Sequence, residues 1–285
     1  MAPIAEIRPS PIAGTWYSGN ARELVEQMDA FISQARLPKI PGKVFGLLAP
    51  HAGHRYSGAT AGYAYRAVQG NTYELVIILS PSHAYYPAEL LTSAHQYFAT
   101  PLGKIAIFQD ALAFLQQELK KTGGEIDRVA EDEEHSIEIQ LPFLQRALKG
   151  DFSLLPVMMR SQSKETVHQL AQALSPLIKK YKSLVIASSD LSHFFPLETA
   201  NTMDSEMLKM VVDCSPEGVL AAERNGSGSA CGAGPIAVML TLAREAGATH
   251  AKVVHRSTSA EVTGDASSVV GYGAAVIYFD KIKQI

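Results

Sequence analysis

The sequence predicts a single α/β domain over residues 1–285, with buried parallel strands. Short apolar runs of strand length alternate with amphipathic helical stretches along the whole chain. Hydrophobic residues make up 47% of the chain and charged residues 19%, so a large core is expected. We find no internal repeat, low-complexity segment or linker that would divide the chain.

Three of the apolar runs deliver a histidine directly after a predicted strand. Residues 44–49 lead to His51, residues 74–80 to His83, and residues 183–189 to His193. Continuous apolar runs of this length are typical of parallel strands buried on both faces. In open α/β sheets, ligands bind beyond the carboxyl ends of the strands. Any one of these histidines could be structural, but three at strand ends favour a common site.

The other elements follow from periodicity and from helix start and stop residues. Gly123 and Gly124 end one helix, and Pro142 should bend another helix or make it start later. A glycine-rich loop over residues 225–235 opens a further helix, in which Pro235 fits the first position. A stripe of methionines over 203–211 is interpreted as core packing. The remaining predictions are an irregular arm at 1–20, helices at 21–36, 57–69, 109–121, 137–148, 163–181 and 236–246, and strands at 152–159, 251–255 and 269–279.

Cys231 is the cysteine that we expect to bind a metal. It stands just before a predicted helix, whose dipole should lower the thiol pKa, whereas Cys214 ends the methionine-rich helix. Two imidazoles and a thiolate, from His51, His83 and Cys231, are a plausible ligand set for iron, zinc or copper. The acidic run at residues 131–134 is interpreted as a helix cap.

Composition also excludes several classes of function. The formal net charge is −3, and no cluster of Lys and Arg is present, so nucleic-acid and acidic-membrane binding are not expected. No apolar stretch is long enough for a membrane-spanning helix, and residues 1–13 lack the apolar centre of a signal peptide. Two dissimilar cysteines indicate no disulfide framework. We therefore expect a reduced, cytoplasmic protein.

Several ordered motifs resemble the Memo family over nearly the whole chain. The match is to the prokaryotic branch, named AmmeMemoRadiSam system protein B, which is one part of a three-part system with a radical-SAM protein. The resemblance implies the fold of class III extradiol dioxygenases, a single domain with a mostly parallel mixed sheet and helices on both faces. The motifs are Ala13-Gly14-Thr15-Trp16-Tyr17, Pro50-His51-Ala52-Gly53, Gly58, Pro81-Ser82-His83, residues 132–138, residues 188–193 and Cys231-Gly232.

The resemblance implies a role for each candidate metal ligand and acid–base residue. His51 and His83 match two metal-binding histidines of the wider fold, and Cys231 falls where the dioxygenases use a glutamate. His193 matches their acid–base histidine, which is expected to move a proton to or from the substrate, and Asp190 of the same motif is expected to steer it as a second catalytic residue. Fe(II) is the expected metal, with copper or zinc as alternatives. A thiolate in place of a carboxylate changes the metal's preference and its oxidation chemistry, so ring cleavage does not simply transfer.

Three further residues are assigned to the surroundings of the pocket. The resemblance places Trp16 and Tyr56 around it, although Trp16 on the arm could instead cover an edge of the core. His135 is interpreted either as a support for the metal ligands or as an anchor for its helix.

The expected function is iron-dependent redox or oxygen chemistry on a small substrate. A binding module for a peptide or partner protein and a zinc hydrolase are the alternatives, and a radical-SAM protein is an implied partner.

Overall fold

The structure is a computed structural model that describes residues 5–280. Its strands and helices alternate along the chain, as the apolar pattern predicts. The strands are β1 (Ile7–Arg8), β2 (Val44–Ala49), β3 (Leu75–Pro81), β4 (Leu90–Ser93), β5 (Tyr97–Thr100), β6 (Gly103–Ala106), β7 (Asp127–Val129), β8 (Ser153–Met159), β9 (Ser183–Ser188), β10 (His193–Phe195), β11 (His250–Thr258) and β12 (Val269–Tyr278). The helices are α1 (Ala21–Gln34), α2 (His54–Arg66), α3 (Gln109–Lys121), α4 (His135–Glu138), α5 (Leu141–Ala147), α6 (Lys164–Lys180), α7 (Leu197–Val212), α8 (Pro216–Asn225), α9 (Ala233–Ala246) and α10 (Ala260–Thr263).

A nine-stranded mixed sheet forms the centre of the domain. Its strand order is β10-β12-β2-β9-β3-β8-β4-β7, and β11 pairs with the other edge of β12. The four central strands β2, β9, β3 and β8 are parallel, and β12 runs antiparallel to β2. In the register of these strands Ala49 pairs with Ser188, and Leu79 pairs with Ala187. Strands β2, β9 and β3 therefore end at the same level, and the predicted α/β fold is confirmed.

Helices cover both faces of this sheet. Helix α2 packs against β2, β11 and β12, with α1 lying on it, while α9 packs against β2, β3 and β9 and is covered by α6 and α8. Helix α1 begins after Asn20, whose side chain accepts hydrogen bonds from the N–H groups of Arg22 and Glu23. Nearly every side chain of α9 from Ala233 to Ala243 is buried, as expected for a helix between a sheet and other helices.

Most elements lie close to their predicted positions, with a few differences. Helix α3 has its predicted bounds, and Pro142 starts α5 after a break that ends α4, as expected. Helix α9 begins at Ala233, so Pro235 stands at the third helical position and not at the first. The Met207 side chain is buried in the core. The sequence pattern missed the three-stranded sheet β1-β5-β6, the short strands β4, β7 and β10, and the helices α8 and α10.

The N-terminal arm, described from residue 5, is packed and not irregular throughout. Arg8 pairs with β5 through strand β1, and its guanidinium is fully buried over the ring of Phe98. Two carboxylates bind this guanidinium, Asp132 at 2.7 Å and Glu138 at 2.8 Å. The second carboxylate also accepts a hydrogen bond from the Tyr17 hydroxyl. The arm is thus fixed to the segment that contains His135.

No helix within residues 5–280 combines the length and the apolar character that a membrane crossing requires.

Candidate metal centre

A cavity of about 540 Å³ opens at the carboxyl ends of the central strands. His51 follows β2, His83 follows β3, and His193 begins β10 shortly after β9, so all three imidazoles reach the same space. The predicted convergence of these strand ends on one cleft is therefore observed. The cavity is lined by Thr15, Trp16, His51, Ala52, Gly53, Tyr56, His83, His135, Asp190, His193, Ser259, Thr263, Val270 and Tyr272.

Three donor atoms lie close enough together to share one metal ion. The ligand atoms of His51, His83 and Cys231 are all within 4.8 Å of one another, and the Cys231 Sγ is 3.1 Å from the His51 Nε2. A metal bonded to nitrogen at about 2.1 Å and to sulfur at about 2.3 Å sets these two atoms about 3.1 to 3.6 Å apart, depending on the bond angle. The observed separation therefore fits a shared ion.

The hydrogen bonds of Ser188 determine which nitrogen of His51 is free. The Ser188 hydroxyl donates its single proton to the carbonyl oxygen of Ser136, at 2.6 Å, and accepts a hydrogen bond from the Gln140 side chain. Its contact with the His51 Nδ1, at 3.1 Å, must therefore be donated by the imidazole. The lone pair of the neutral ring is then on Nε2, directed at Cys231.

The hydrogen bonds of Glu134 likewise determine which nitrogen of His83 is free. Its carboxylate contacts the His83 Nδ1 at 2.9 Å and accepts the backbone N–H of His83 at 2.7 Å. Burial alone would raise the pKa of Glu134, but the hydrogen bonds from His83 hold that pKa well below its ordinary value. An ionised carboxylate on Nδ1–H leaves Nε2 as the ligand nitrogen, which is the usual arrangement behind metal-binding histidines.

The pKa of the Cys231 thiol is shifted upwards, opposite to the direction expected from the sequence. Burial raises the pKa of its thiol, and the carboxyl group of Asp190 raises it further. Helix α9 begins two residues later, at Ala233, so the helix start does not compensate for the lost solvation. The predicted lowering is wrong, and metal binding must therefore displace the thiol proton. Within residues 5–280 a second group of side chains, His83, Glu134 and His135, could also hold a metal ion. Cys214, which follows α7, belongs to neither group.

Asp190 supports the strand end that carries His51. Its Oδ1 accepts the backbone N–H groups of His51, at 2.7 Å, and Ala52, at 3.2 Å. Burial raises the pKa of Asp190 to about 7, although these hydrogen bonds oppose the rise. His193 lines the cavity nearby, and burial lowers its pKa, so its imidazole is neutral at physiological pH.

Aromatic side chains form the wall and the mouth of the cavity. The His135 ring stacks on His83 with centroids 4.7 Å apart and lies 4.2 Å from the Trp16 ring. Burial lowers the pKa of His135 to about 4, which keeps this ring neutral. Trp16 and Tyr56 are both more than one third exposed at the mouth. Of the two interpretations of Trp16, the position on the pocket wall is the one observed.

Sequence reasoning missed Glu134 and Tyr272 as members of the site. Glu134 was assigned to a helix cap, and it does cap α4 by accepting the N–H of Ser136, but it also binds His83. Its position next to His135 was the available clue. Tyr272 lies within the apolar run of β12, and nothing in that run indicated that its ring lines a cavity.

The fold and this cluster together define a class: an α/β protein with a candidate metal-binding pocket at the ends of its parallel strands. The model of the Memo family, described as Memo-like protein, matches residues 8–276. The chain belongs to this family.

Relatives described as MEMO1 family proteins cover almost the whole chain. That of Nitrosopumilus maritimus is 32% identical over 272 residues, which are 94% of this chain and 98% of the relative. That of Thermoplasma volcanium is 34% identical over 273 residues, which are 95% of this chain and 98% of the relative.

Proposed function

We propose that this chain binds a redox-active metal, iron in the first place, at His51, His83 and Cys231, and uses it for redox or oxygen chemistry on a small substrate in the cytoplasm. The observation that carries the proposal is the cluster of three donor atoms, in which a bare imidazole nitrogen faces a thiol at 3.1 Å. When bound, iron supplies a redox couple and open positions for oxygen or substrate.

The chain's own residues supply binding and proton transfer. His193 is neutral and borders the cavity, so it can accept a proton from a substrate hydroxyl or thiol and return it later. Asp190 keeps the His51 backbone in place and, with a pKa of about 7, changes its charge near neutral pH. The lining residues include neither Lys nor Arg, which favours a substrate without a strong negative charge.

Metal analysis of protein purified without oxygen tests the proposal. Iron at about one ion per chain is expected in the wild type, because a single cluster holds the three donors. Replacing any one of the three ligands by Ala should abolish tight metal binding, and Cys214→Ala is the matched control. Oxygen uptake with a panel of small substrates should then depend on bound iron. Zinc in place of iron, with metal-dependent hydrolysis, would favour the zinc hydrolase.

A second candidate function is a binding module, favoured by the exposed aromatic mouth. Trp16 and Tyr56 at the mouth, and Phe194 next to His193 but outside the cavity lining, are large apolar side chains with exposed fractions of 37%, 39% and 75%. Such surfaces often mark contacts with a peptide or another protein. A radical-SAM protein is the partner that we propose, from the resemblance of the sequence. Co-elution of the purified pair in gel filtration, weakened by Phe194→Ser but with metal content unchanged, would support the module.

A further inference from the structure

A carboxyl group outside the metal cluster is buried against the loop that carries His193. Asp204 lies on α7 and has no exposed surface. Its Oδ1 accepts the backbone N–H of Ser192 at 2.9 Å. Gly271 of β12, which lies against the Asp204 carboxylate, donates its N–H to the Ser192 carbonyl and accepts the N–H of Leu191, both at 2.8 Å. The residues just before His193 are therefore held between α7 and β12.

Leu191 anchors the loop before Ser192 in the core, but after Ser192 the chain turns sharply into β10. Phe194 has a φ of 64°, in the left-handed region that disfavours residues other than glycine. The pairing of β10 with β12 shifts register between His193 and Phe195. The Phe194 side chain is largely exposed and offers little packing to hold the bend. The contacts of Ser192 therefore hold the backbone from which the His193 side chain projects, and the backbone of Leu191 also acts on the ring.

The space around Asp204 is shaped for a carboxyl group. A Cβ atom at position 271 would overlap its carboxylate, so glycine at that position leaves room for the acid. The Asp204 Oδ2 and the Ser192 Oγ are buried and have no hydrogen-bond partner within the described residues. Burial raises the pKa of Asp204, while hydrogen bonds with Ser192 and the charge of Arg256 oppose the rise. The neutral acid can give its proton to the Ser192 hydroxyl and so satisfy both atoms.

We propose that Asp204 is a positioning residue that fixes the His193 imidazole in the cavity through Ser192 and Gly271. The inference rests on the proposed function, because it gives meaning to the orientation of a proton-transferring histidine. A positioning role for Asp204 can be distinguished from a purely structural link between α7 and the sheet. Loss of the link alone would lower stability, whereas loss of positioning also changes the surroundings of the His193 ring.

The test is a titration of the His193 imidazole by NMR in metal-free protein. His83 is the neighbouring ionisable group that acts on this ring, and it is the same in all variants. Asp204→Asn keeps an oxygen for the Ser192 N–H and should leave the His193 pKa unchanged. Asp204→Glu keeps the carboxyl group but, being one methylene longer, displaces the loop. It should raise the His193 pKa by about half a unit or more, towards the ordinary value of about 6.5.

Asp204→Ala should act like Asp204→Glu, and Asp213→Asn on the exposed end of the same helix is the control. If the alanine variant does not fold, the Asn and Glu variants still test whether Asp204 positions His193. Folded Glu or Ala variants with a native His193 titration would overturn the proposal, as would an Asn variant as disturbed as the Glu variant. Metal content is measured separately. An absence of metal binding would contradict the proposed function, but the titration of His193 in metal-free protein would still test the role of Asp204.

Discussion

Replacing Asp190 by Asn should stabilise the metal-free protein increasingly as the pH rises. The Asn side chain retains an oxygen that can accept the N–H groups of His51 and Ala52, as the Asp190 Oδ1 does. The structural change is therefore small, and the main effect is the removal of a buried ionisable group. The prediction concerns the difference between variant and wild type, in which the contributions of ionisable groups that do not interact with Asp190 cancel.

The magnitude follows from the two pKa values of Asp190. Burial raises the pKa in the folded protein to about 7, from an ordinary value of 3.8. Because the folded state holds its proton more tightly, the favourable contribution is complete below about pH 4 and is lost as the pH rises through 7. The full difference corresponds to about 4 kcal/mol, of which about 2.5 kcal/mol falls between about pH 5 and about pH 8.

Urea unfolding at about pH 5 and about pH 8 measures this difference. The difference in free energy of unfolding between Asp190→Asn and the wild type should be about 2.5 kcal/mol more favourable to the variant at about pH 8 than at about pH 5. Asp213→Asn, at an exposed position, should follow the wild type at both. Parallel pH profiles for the wild type and Asp190→Asn would refute the reasoning, because they would show that Asp190 ionises as easily in the folded protein as in the unfolded chain.

Three further predictions concern other parts of the site. Glu134→Gln should weaken zinc binding by about tenfold or more, measured by chelator competition, because a neutral amide holds the His83 Nδ1–H less firmly; unchanged affinity would contradict the role of Glu134. His193→Ala should keep the metal but lose about a hundredfold or more in turnover, measured as oxygen uptake, and loss of metal would instead make His193 a ligand. Arg8→Met should cost about 3 to 5 kcal/mol in urea unfolding, because it leaves the buried carboxylate of Glu138 unpaired; a cost below about 1 kcal/mol would contradict the importance of this ion pair.

The grouping of the three strand-end histidines was predictable because parallel pairing leaves little freedom. Residues 44–49 and 183–188 are apolar enough to be buried central strands, and their register brings Ala49 beside Ser188. Whatever follows these strands must then meet at one edge of the sheet. The same argument located His83 and His193.

The missed features depend on contacts between segments distant in sequence. Glu134 binds a residue 51 positions away, and neither segment shows this contact in its own pattern. The thiol pKa of Cys231 is set by burial beneath other elements, whereas the sequence revealed only the nearby helix start. The strands of the small sheet have two to four residues each, too few for periodicity to identify.

The candidate metal ligands lie far apart along the chain, so they are synthesised at different times. His51 and Cys231 are 180 residues apart, and Arg8 binds a carboxylate 130 residues further on. During synthesis, the imidazoles therefore emerge well before the cysteine that completes the ligand set. An ion that arrived early would meet His51 and His83 without the Cys231 thiol. If the proposed ligand set binds a metal, stable capture of that metal would follow synthesis of most of the chain, and metallation would be a late step in maturation.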